Sequence, residues 1–536
     1  MAQRKVGRRN FLKKSVLGAA TLMTGADALR AGSGAGDERP NIVVILCDDL
    51  GYSDLSCYGA THIQTPNIDR LANQGLRFTQ FYNCAKCGPT RASLLTGLYH
   101  HETGRLRRPD NATVAELLKT AGYRTYMSGK WHLGDFRHDK CTPVDRGFDR
   151  YFGHLGGAIN YWTGEDFGSG KNLMRLDRKV YEPPEDFYST VAMTDYAVRF
   201  LDDAHEKGDP FFLYLAYNAP HFPLHALPED IERFRGKFMD GWDKLRRQRY
   251  ERMVELGLLD GSNELPPRAP EVPPWSELSE EEKRKEDLLM AVYAAMTYRM
   301  DVGIGRVLDK LEQMGVFDNT LVMFLSDNGG CPFDFNRTPD LPPGPAKSMR
   351  SYNVEWANAS NTAFRLYKQN SHEGGISTPL VVRWPAAIEP GRITGQVGHV
   401  VDIMPTVLEV AGVEYPNARE GHDLLALEGQ SFASTLRRGE TFRHDPIYWE
   451  FAGNRAVRDG KWKLVGRRHR AVELYNMEED RTEMHDLTEK HPDRTAKMVR
   501  MYDRWARRVG AKSNKACRNT PASGRIKVSP FLRDDG

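Results

Sequence analysis

The chain has 536 residues, 40% hydrophobic and 27% charged, so it can bury a large core, and a principal domain with a smaller one is expected. Lys and Arg number 75 against 72 Asp and Glu, and this net charge of +3 is too small to indicate nucleic acid or a polyanionic surface as a partner. After the first 31 residues no segment is long and apolar enough to predict a stable membrane span.

The first segment, residues 1–31, is interpreted as a targeting signal rather than as part of the fold. Residues 8–13 read Arg-Arg-Asn-Phe-Leu-Lys, and a short, weakly apolar run follows them. This order resembles a twin-arginine export signal, with cleavage after Ala28 or Ala31, whereas the alternative is a basic tail. The resemblance implies the twin-arginine export machinery as a partner and a periplasmic or secreted product.

The first predicted strand is residues 41–47, NIVVILC, a continuous apolar run typical of a buried strand in a parallel sheet. Asp48 and Asp49 follow it directly. Open α/β sheets bind ligands at the carboxyl ends of their strands, so these carboxylates are candidate ligands. Two adjacent acids alone would also fit a solvated loop or a helix cap.

The next informative stretch, residues 87–97, reads CGPTRASLLTG and predicts a helix that begins at its N-terminal end. Pro89 suits the first turn, so the sulfur of Cys87 is expected at the helix N-terminus, where N–H groups and the helix dipole attract anions. Arg91 adds a guanidinium group that can donate bidentate hydrogen bonds to sulfate or phosphate oxygens. Cys84 lies three residues before Cys87, and this spacing alone would also fit a redox or metal pair.

A helix at residues 114–120 and a strand at 123–127 are predicted next, and Gly-Lys-Trp-His follows the strand. Lys130 and His132 are two residues apart, so on an extended segment their side chains project to the same side. Further along, the predicted strand 211–217 precedes His221, which stands between two prolines. Histidine titrates near neutral pH and suits proton transfer.

Residues 224–285 are charge-rich and proline-rich, and they fit two interpretations. One is an insertion bordering the mouth of the active site, and the other is a solvated helical excursion. A long helix is predicted at residues 287–314, with its apolar positions on one face.

A second buried strand is predicted at residues 320–326, TLVMFLS, and Asp327 and Asn328 follow it. Two core strands that each deliver oxygen ligands at their carboxyl ends indicate a cation site. Ligation by oxygen alone favours calcium or magnesium over zinc. Lys368 then lies five residues before Glu373, which opens a Glu-Gly-Gly sequence.

The last part of the chain predicts a small α+β unit. Short β-like runs occur at 447–451, 456–457 and 461–465, with a hairpin turn signal at Asp459-Gly460. A helix near residues 496–509 completes the unit. We divide the chain into a signal at 1–31, a catalytic domain at 38–430, a C-terminal subdomain at 431–515 and a polar tail at 516–536.

Taken in order, these elements resemble the signature of the type I sulfatases of the alkaline phosphatase superfamily. The resemblance rests on Cys-x-Pro-Thr-Arg with Ala-x-Leu-Leu-Thr-Gly, on Gly-Lys-Trp-His-Leu-Gly and on Lys-x-x-x-x-Glu-Gly-Gly, and it covers residues 40–492. Many family members carry Arg where Ser377 and Thr378 stand here, which leaves the substrate subtype open. The implied fold is α/β, with a large mixed, mostly parallel sheet flanked by helices and a smaller C-terminal α+β subdomain that contains a short antiparallel sheet.

The resemblance implies a residue-by-residue site. The implied metal ligands, for one calcium ion, are Asp48, Asp49, Cys87, Asp327 and Asn328. The implied catalytic residues are Cys87, Arg91, Lys130, His132, His221 and Lys368. Arg91, Lys130 and Lys368 would hold the sulfate, His132 would orient or deprotonate the nucleophile, and His221 would protonate the leaving alcohol. His225 could be confused with His221 but fits the pattern less well.

In this family the cysteine is oxidised to formylglycine by a maturation enzyme, and the same is implied for Cys87. A thiol that attacked a sulfate ester would keep the sulfur bound to it, whereas a hydrated aldehyde offers one hydroxyl to attack and a second whose deprotonation expels sulfate. The sequence therefore predicts a sulfatase acting on a sulfate monoester, with a sulfated carbohydrate as the expected substrate. The alternatives are a phosphomonoester or phosphonate hydrolase of the same superfamily, and a non-catalytic protein that binds sulfated glycans.

Overall fold

The structure is a computed structural model that describes residues 39–135, 138 and 140–519. The signal predicted at residues 1–31 lies outside the described residues, as does the polar tail beyond residue 519. The domain boundaries at residues 430 and 515 stay predictions.

The described residues form sixteen strands, and most of them are short. They are β1 (Asn41–Cys47), β2 (Leu76–Tyr82), β3 (Arg124–Gly129), β4 (Arg150–His154), β5 (Met174–Leu176), β6 (Lys179–Val180), β7 (Phe211–Ala216), β8 (Thr320–Ser326), β9 (Leu380–Arg383), β10 (Arg392–His399), β11 (Ala418–Arg419), β12 (His422–Asp423), β13 (Ile447–Phe451), β14 (Asn454–Asp459), β15 (Trp462–Gly466) and β16 (Val472–Asn476).

Fourteen α-helices accompany these strands in the described part of the chain. They are α1 (Pro66–Asn73), α2 (Cys87–Thr96), α3 (His100–Thr103), α4 (Val114–Thr120), α5 (Ser189–Lys207), α6 (Pro228–Phe234), α7 (Gly241–Glu255), α8 (Glu280–Gln313), α9 (Asn353–Ser360), α10 (Glu373–Ile376), α11 (Ile403–Ala411), α12 (Ala433–Arg438), α13 (Pro492–Val509) and α14 (Asn514–Asn519).

Ten strands form one sheet in the order β10-β2-β9-β8-β1-β7-β3-β4-β5-β6. β1 lies at its centre and pairs in parallel with both β7 and β8. Five of the nine neighbouring pairs are parallel and four are antiparallel. The predicted large, mixed, mostly parallel sheet is therefore confirmed.

Alternate residues of β1 feed two separate hydrophobic cores, because successive side chains of a strand point to opposite faces. Val43 and Ile45 pack into the core that holds α1, α5 and α8. Val44 and Leu46 pack into the core that holds α2, α4 and α11. This burial on both faces explains why the sequence of β1 is apolar throughout, and it confirms a sheet flanked by helices.

A separate four-stranded antiparallel sheet, in the order β13-β14-β15-β16, forms the C-terminal unit. One face packs on α13, and Leu464 of the sheet and Trp505 of the helix belong to one buried hydrophobic cluster. The other face packs against the large sheet, where Trp449 lies against Tyr82 with ring centroids 5.5 Å apart. The predicted α+β unit with a short antiparallel sheet is confirmed, and the Asp459-Gly460 turn joins β14 to β15 as expected.

Two predictions for the middle of the chain need correction. The long helix α8 begins at Glu280 rather than near residue 287, because the Ser279 hydroxyl accepts a hydrogen bond from the Glu282 N–H and caps its first turn. The interpretation of the basic run in α7 as a solvated excursion is wrong for Arg249, which is fully buried with its guanidinium 2.6 Å from the Asp54 carboxylate, whereas Arg247 and Arg252 are exposed.

Candidate active site

The two strands with acidic ends lie side by side, so the predicted metal ligands emerge together. In the parallel register of β1 and β8, Cys47 stands opposite Ser326, the last residue of its strand. The chain turns directly after β1, where Asp49 has a left-handed backbone with φ 66°. The Asp49 N–H then donates to Asp327 Oδ1 at 3.2 Å and links the two strand ends.

Several oxygens in this cluster have no hydrogen-bond partner among the described residues although they are buried. They are Asp48 Oδ1, Asp49 Oδ2 and Asn328 Oδ1. One ligand atom each from Asp48, Cys87 and Asp327 lies within 4.8 Å of the others. Buried acceptors without partners are costly, and oxygen donors in such a cluster suit a hard cation. These residues therefore fit calcium or magnesium.

Cys87 stands at the N-terminus of α2, as its motif predicts. It is the first residue of the helix and is 2% exposed. The Thr90 hydroxyl ties this turn to β8 by donating to the carbonyl oxygen of Asp327 at 2.7 Å. The close pair Cys84 and Cys87 is not a disulfide, and all seven cysteines are free. The helix start is thus held directly against the strand end that carries Asp327.

Three buried cations face the carboxylates of the cluster. Arg91 Nη2 lies 3.5 Å from Asp48 Oδ2 and 3.3 Å from Asp327 Oδ2. Lys130 forms an ion pair with Asp48, and Lys368 forms one with Asp49. The structure therefore brings all three predicted sulfate-binding cations to one place.

The charged groups of this cluster shift one another's pKa values. Burial opposes the charge on Lys368, but the Asp49 carboxylate outweighs burial and raises the pKa of the ammonium well above its ordinary value. Burial and the adjacent Asp48 charge raise the pKa of the Asp327 carboxyl. Shifts of this kind cluster at functional sites because carboxylates and cations are packed together away from water.

The imidazole of His221 directs one nitrogen toward the carboxylates of the site. Its Nδ1 donates to the Phe222 carbonyl oxygen at 2.6 Å, and its Nε2 lies 3.4 Å from Asp49 Oδ2. Burial lowers the pKa of His221 to about 4, against the opposing effect of Asp49. His225, in contrast, uses Nε2 toward the Ser348 carbonyl at 2.7 Å and Nδ1 toward the Tyr161 N–H. Of these two histidines, only His221 reaches the cluster.

His132 lies beside the start of α2. A Cβ built on Gly88 would stand 3.9 Å from His132 Nδ1, and this nitrogen has no partner among the described residues. Burial, with the Lys130 charge, lowers the pKa of His132 well below its ordinary value. The sequence argument from an extended segment is wrong here, because β3 ends at Gly129 and His132 has a left-handed φ of 56°.

Two residues beside the site were not found by sequence reasoning. A Cβ on Gly157 would stand only 2.8 Å from His132 Nε2, so this glycine makes room for the ring. Its signal in the sequence is a Gly-Gly pair shortly after β4. Lys86, directly before Cys87, places its ammonium 5.3 Å from the centroid of the Phe333 ring.

Glu373 of the Glu-Gly-Gly sequence does not point to the cluster. Its carboxylate contacts Lys463 Nζ at 2.7 Å and Arg481 Nη2 at 3.2 Å, and it accepts from the Tyr82 hydroxyl at 2.9 Å. Lys463 and Arg481 belong to the C-terminal part of the chain. This motif residue therefore joins the large sheet to the C-terminal sheet.

No helix among the described residues combines the length and the apolarity needed to cross a membrane.

Comparison with known proteins gives a consistent assignment. Residues 40–413 match the family model described as Sulfatase, and residues 364–506 match that described as N-sulphoglucosamine sulphohydrolase, C-terminal. An uncharacterized sulfatase of Schizosaccharomyces pombe is 35% identical over 514 residues, which cover 86% of this chain and 92% of that protein. An arylsulfatase of Klebsiella aerogenes is 34% identical over 460 residues, which cover 79% of this chain and 97% of that protein.

Among solved structures, Ps i-CgsB in complex with k-i-k-neocarrahexaose is similar with a TM-score of 0.66 at 29% identity, covering 88% of this chain and 93% of that chain. This likeness and the order of the large sheet identify an alkaline phosphatase-like fold. Because the matched residues make up most of the chain, it belongs to the sulfatase family and is a sulfuric ester hydrolase.

Proposed function

We propose that this sulfatase cleaves a sulfate monoester of a sulfated carbohydrate, with Cys87 matured to formylglycine and one calcium ion bound beside it. The observation that carries the proposal is the set of buried oxygens on Asp48, Asp49 and Asn328 that accept no hydrogen bond from the described residues, next to a cysteine at a helix N-terminus. In a sulfatase chain, such oxygens are explained by a cation that the cluster is built to hold.

When present, calcium neutralises sulfate charge, and formylglycine, as a hydrated aldehyde, supplies the oxygen nucleophile that a thiol cannot. Five side chains of this protein do the remaining work. Arg91, Lys130 and Lys368 bind sulfate oxygens and hold the sulfur in line with the side chain at position 87. Their positive charge also stabilises the charge that builds up on the sulfate oxygens as the ester bond breaks.

The two histidines would move protons at opposite sides of the sulfate. His132, against the start of α2, would orient the nucleophile and accept its proton. His221 would deliver a proton from Nε2 to the oxygen of the leaving alcohol, since its Nδ1 is already engaged by the Phe222 carbonyl. The bound sulfate is anionic, and a nearby negative charge favours the protonated form of an imidazole whose pKa burial has lowered.

The sulfated carbohydrate is supported by a relative rather than by the cluster itself. Ps i-CgsB, at 29% identity, was solved with k-i-k-neocarrahexaose. The resemblance of residues 8–13 to a twin-arginine signal supports export to the periplasm or beyond. A formylglycine-generating enzyme would act on Cys87 before that export, because twin-arginine substrates cross the membrane folded and Cys87 is buried in the fold.

The decisive experiment is mass spectrometry of peptides that contain position 87, combined with turnover of sulfate and phosphate esters. We expect an aldehyde in place of the thiol, and hydrolysis of sulfate esters in preference to phosphate esters. Cys87→Ser, expressed in the same host, should lose turnover, whereas the matched variant Cys84→Ser at the neighbouring buried cysteine should keep it. An unmodified thiol together with full sulfatase activity would overturn the formylglycine assignment, and a preference for phosphate esters would favour the phosphohydrolase alternative.

A further inference from the structure

Lys86 is a half-buried cation without an anionic partner. Its ammonium has no hydrogen bond or ion pair with any described residue, and its contact is the face of Phe333, with Nζ 5.3 Å from the ring centroid. Lys130 and Lys368, in contrast, are each paired with an aspartate. An ammonium that is partly removed from water gains most from a charge-assisted hydrogen bond to an anion.

The position of Lys86 relative to the reaction centre follows from Phe333. The same ring lies 5.8 Å from Nζ of Lys368, which pairs with Asp49 in the cluster. Lys86 also directly precedes Cys87, the first residue of α2. Two lysine ammoniums therefore lie against one aromatic ring, one of them committed to the cluster and the other open to a ligand.

Phe333 belongs to a small aromatic wall beside the site. Phe222, Phe333 and Phe335 are buried in one cluster, and the rings of Phe222 and Phe335 stack with centroids 5.0 Å apart. Phe222 directly follows His221, and their rings stack with centroids 4.3 Å apart. The aromatic wall therefore begins next to His221, which is expected to face the leaving alcohol. Because the leaving alcohol carries the rest of the substrate, the substrate is expected to extend from the site on this side.

A second cation lies at the outer end of this wall. The Arg337 guanidinium stacks 4.2 Å from the ring centroid of Phe335 and 5.4 Å from that of Phe167. Arg337 is exposed, and its side chain forms no ion pair with the described residues. The closest acids in sequence are Asp334, whose carboxylate is engaged by Asn336, and the exposed Asp340.

We propose that Lys86, with Arg337 further out, forms a second anion subsite that binds a negatively charged substituent of the substrate other than the scissile sulfate. The proposal rests on the proposed function and names its substrate class as a sugar with at least two anionic groups. The second group is an oxyanion, either a sulfate or a carboxylate. The buried Phe333 ring would support the Lys86 side chain from the protein side while the ammonium donates to the anion.

The test compares two kinds of substrate in the full-length, matured enzyme. One carries the scissile sulfate as its only charge, as in 4-nitrophenyl sulfate, and the other is drawn from a panel of disulfated and uronate-containing sulfated saccharides. In Lys86→Gln we expect the ratio of kcat/KM for the best doubly charged substrate to that for 4-nitrophenyl sulfate to fall by about 30-fold, mainly through KM, as for one lost charge-assisted bond. Lys86→Arg should restore most of this ratio.

Two controls keep the result specific. Lys490→Gln, at an exposed lysine of the C-terminal part, should leave the ratio unchanged. The formylglycine content of each variant, measured by mass spectrometry, corrects for any effect of Lys86 on maturation of Cys87.

Arg337→Gln should lower the same ratio by a smaller factor of about 3, because its side chain is solvated.

The outcomes separate the subsite from the function. Wild-type turnover of 4-nitrophenyl sulfate tests sulfatase activity itself, and the change of ratio tests the subsite. An unchanged ratio in Lys86→Gln would overturn the subsite, and so would an equal fall for both substrates. If the wild type turned over neither substrate, calorimetric binding of the doubly charged saccharide to wild type and Lys86→Gln would still decide the matter, and equal affinities would count against the subsite. Within the panel, the preferred second substituent distinguishes sulfate from carboxylate.

Discussion

Two clusters of buried charge lie close together in this sulfatase, and they differ in how their oxygens are used. In the cluster of Asp48, Asp49 and Asn328, each of the three side chains has one buried oxygen without a hydrogen-bond partner among the described residues. Both carboxylate oxygens of Glu373 have partners, namely Lys463 on one side, and Tyr82 with Arg481 on the other.

This difference in hydrogen bonding distinguishes a ligand-binding site from a buried ion-pair cluster that stabilises the fold. A buried charge is tolerated when its hydrogen bonds are made within the protein, and Glu373 meets that condition at the seam between two sheets. An unpartnered buried oxygen instead leaves free energy to be gained from a ligand. The first cluster should therefore control activity and cation binding, whereas the second should control stability.

The largest effect is expected on activity from Asp327→Asn. Removing one carboxylate of the proposed calcium site should lower kcat/KM for a sulfate ester by about 1,000-fold, because charge stabilisation of the sulfate is lost. Burial and Asp48 raise the pKa of the Asp327 carboxyl, so the neutral amide should change the stability of the calcium-free protein by less than about 1 kcal/mol. Kinetics with added calcium and urea unfolding with a chelator measure the two quantities.

The same variant also tests the metal directly. Calcium should raise the melting temperature of the wild type after chelation, and this shift should shrink in Asp327→Asn, since a ligand that binds only the folded state stabilises it. A large loss of stability in the chelated variant would instead show that Asp327 has a structural role, as Glu373 does.

The second effect is on stability, from Glu373→Gln. Removing this charge leaves the buried Lys463 with Glu483 as its remaining carboxylate and weakens the contact with Arg481, so we expect the free energy of unfolding to fall by about 3 kcal/mol. Urea unfolding in the presence of calcium measures the loss. The matched control is Glu389→Gln, at an exposed glutamate, which should change stability by less than about 0.5 kcal/mol.

A double variant sharpens this result. Lys463 also pairs with the buried Glu483 carboxylate at 2.8 Å, so it has a partner in the single variant. Glu373→Gln combined with Lys463→Met should therefore cost less than the sum of the two single losses, since both single variants remove the same contact. Additive losses in the double variant would show that the two side chains do not act as an ion pair.

The sequence predicts the central fold and most of the site because both depend on local patterns. The apolar strands β1 and β8 are evident from composition alone, and the acids that follow them lie where parallel strands end. The features that the sequence does not predict depend on contacts between residues that are distant along the chain. Glu373 finds Lys463 and Arg481 across a sheet interface that no local pattern describes.

Lys86 and Gly157 were missed for the same reason. A lysine before a catalytic motif resembles any surface lysine until Phe333, far along the chain, is placed against it. Gly157 gains its meaning only from the His132 ring that lies where its Cβ would be. The left-handed backbone at His132 is a further departure from the regular alternation that a sequence argument assumes.

A smaller effect on activity is expected from Gly157→Ala. The added Cβ would stand 2.8 Å from His132 Nε2 and must displace the ring. A displacement approaching 1 Å at a reacting group costs about 100-fold in rate, so kcat should fall by up to that factor with little change in stability. The control is Gly261→Ala, whose nearest atom would be Val254 Cγ1 at an ordinary 3.4 Å. Unchanged kcat in Gly157→Ala would show that His132 does not need its present position.

The smallest effect is a pH dependence that belongs to the structural cluster. Burial opposes the charge on Glu373, but Lys463 and Arg481 outweigh burial and lower its pKa to about 2. A carboxyl with a lowered folded-state pKa contributes stability above its unfolded pKa of about 4.3 and loses it as the pH falls toward the folded value. The stability difference between wild type and Glu373→Gln should therefore narrow by about 1 kcal/mol between pH 5 and pH 3.5. Urea unfolding at the two pH values measures it, and a constant difference would mean that Glu373 does not carry the buried charge.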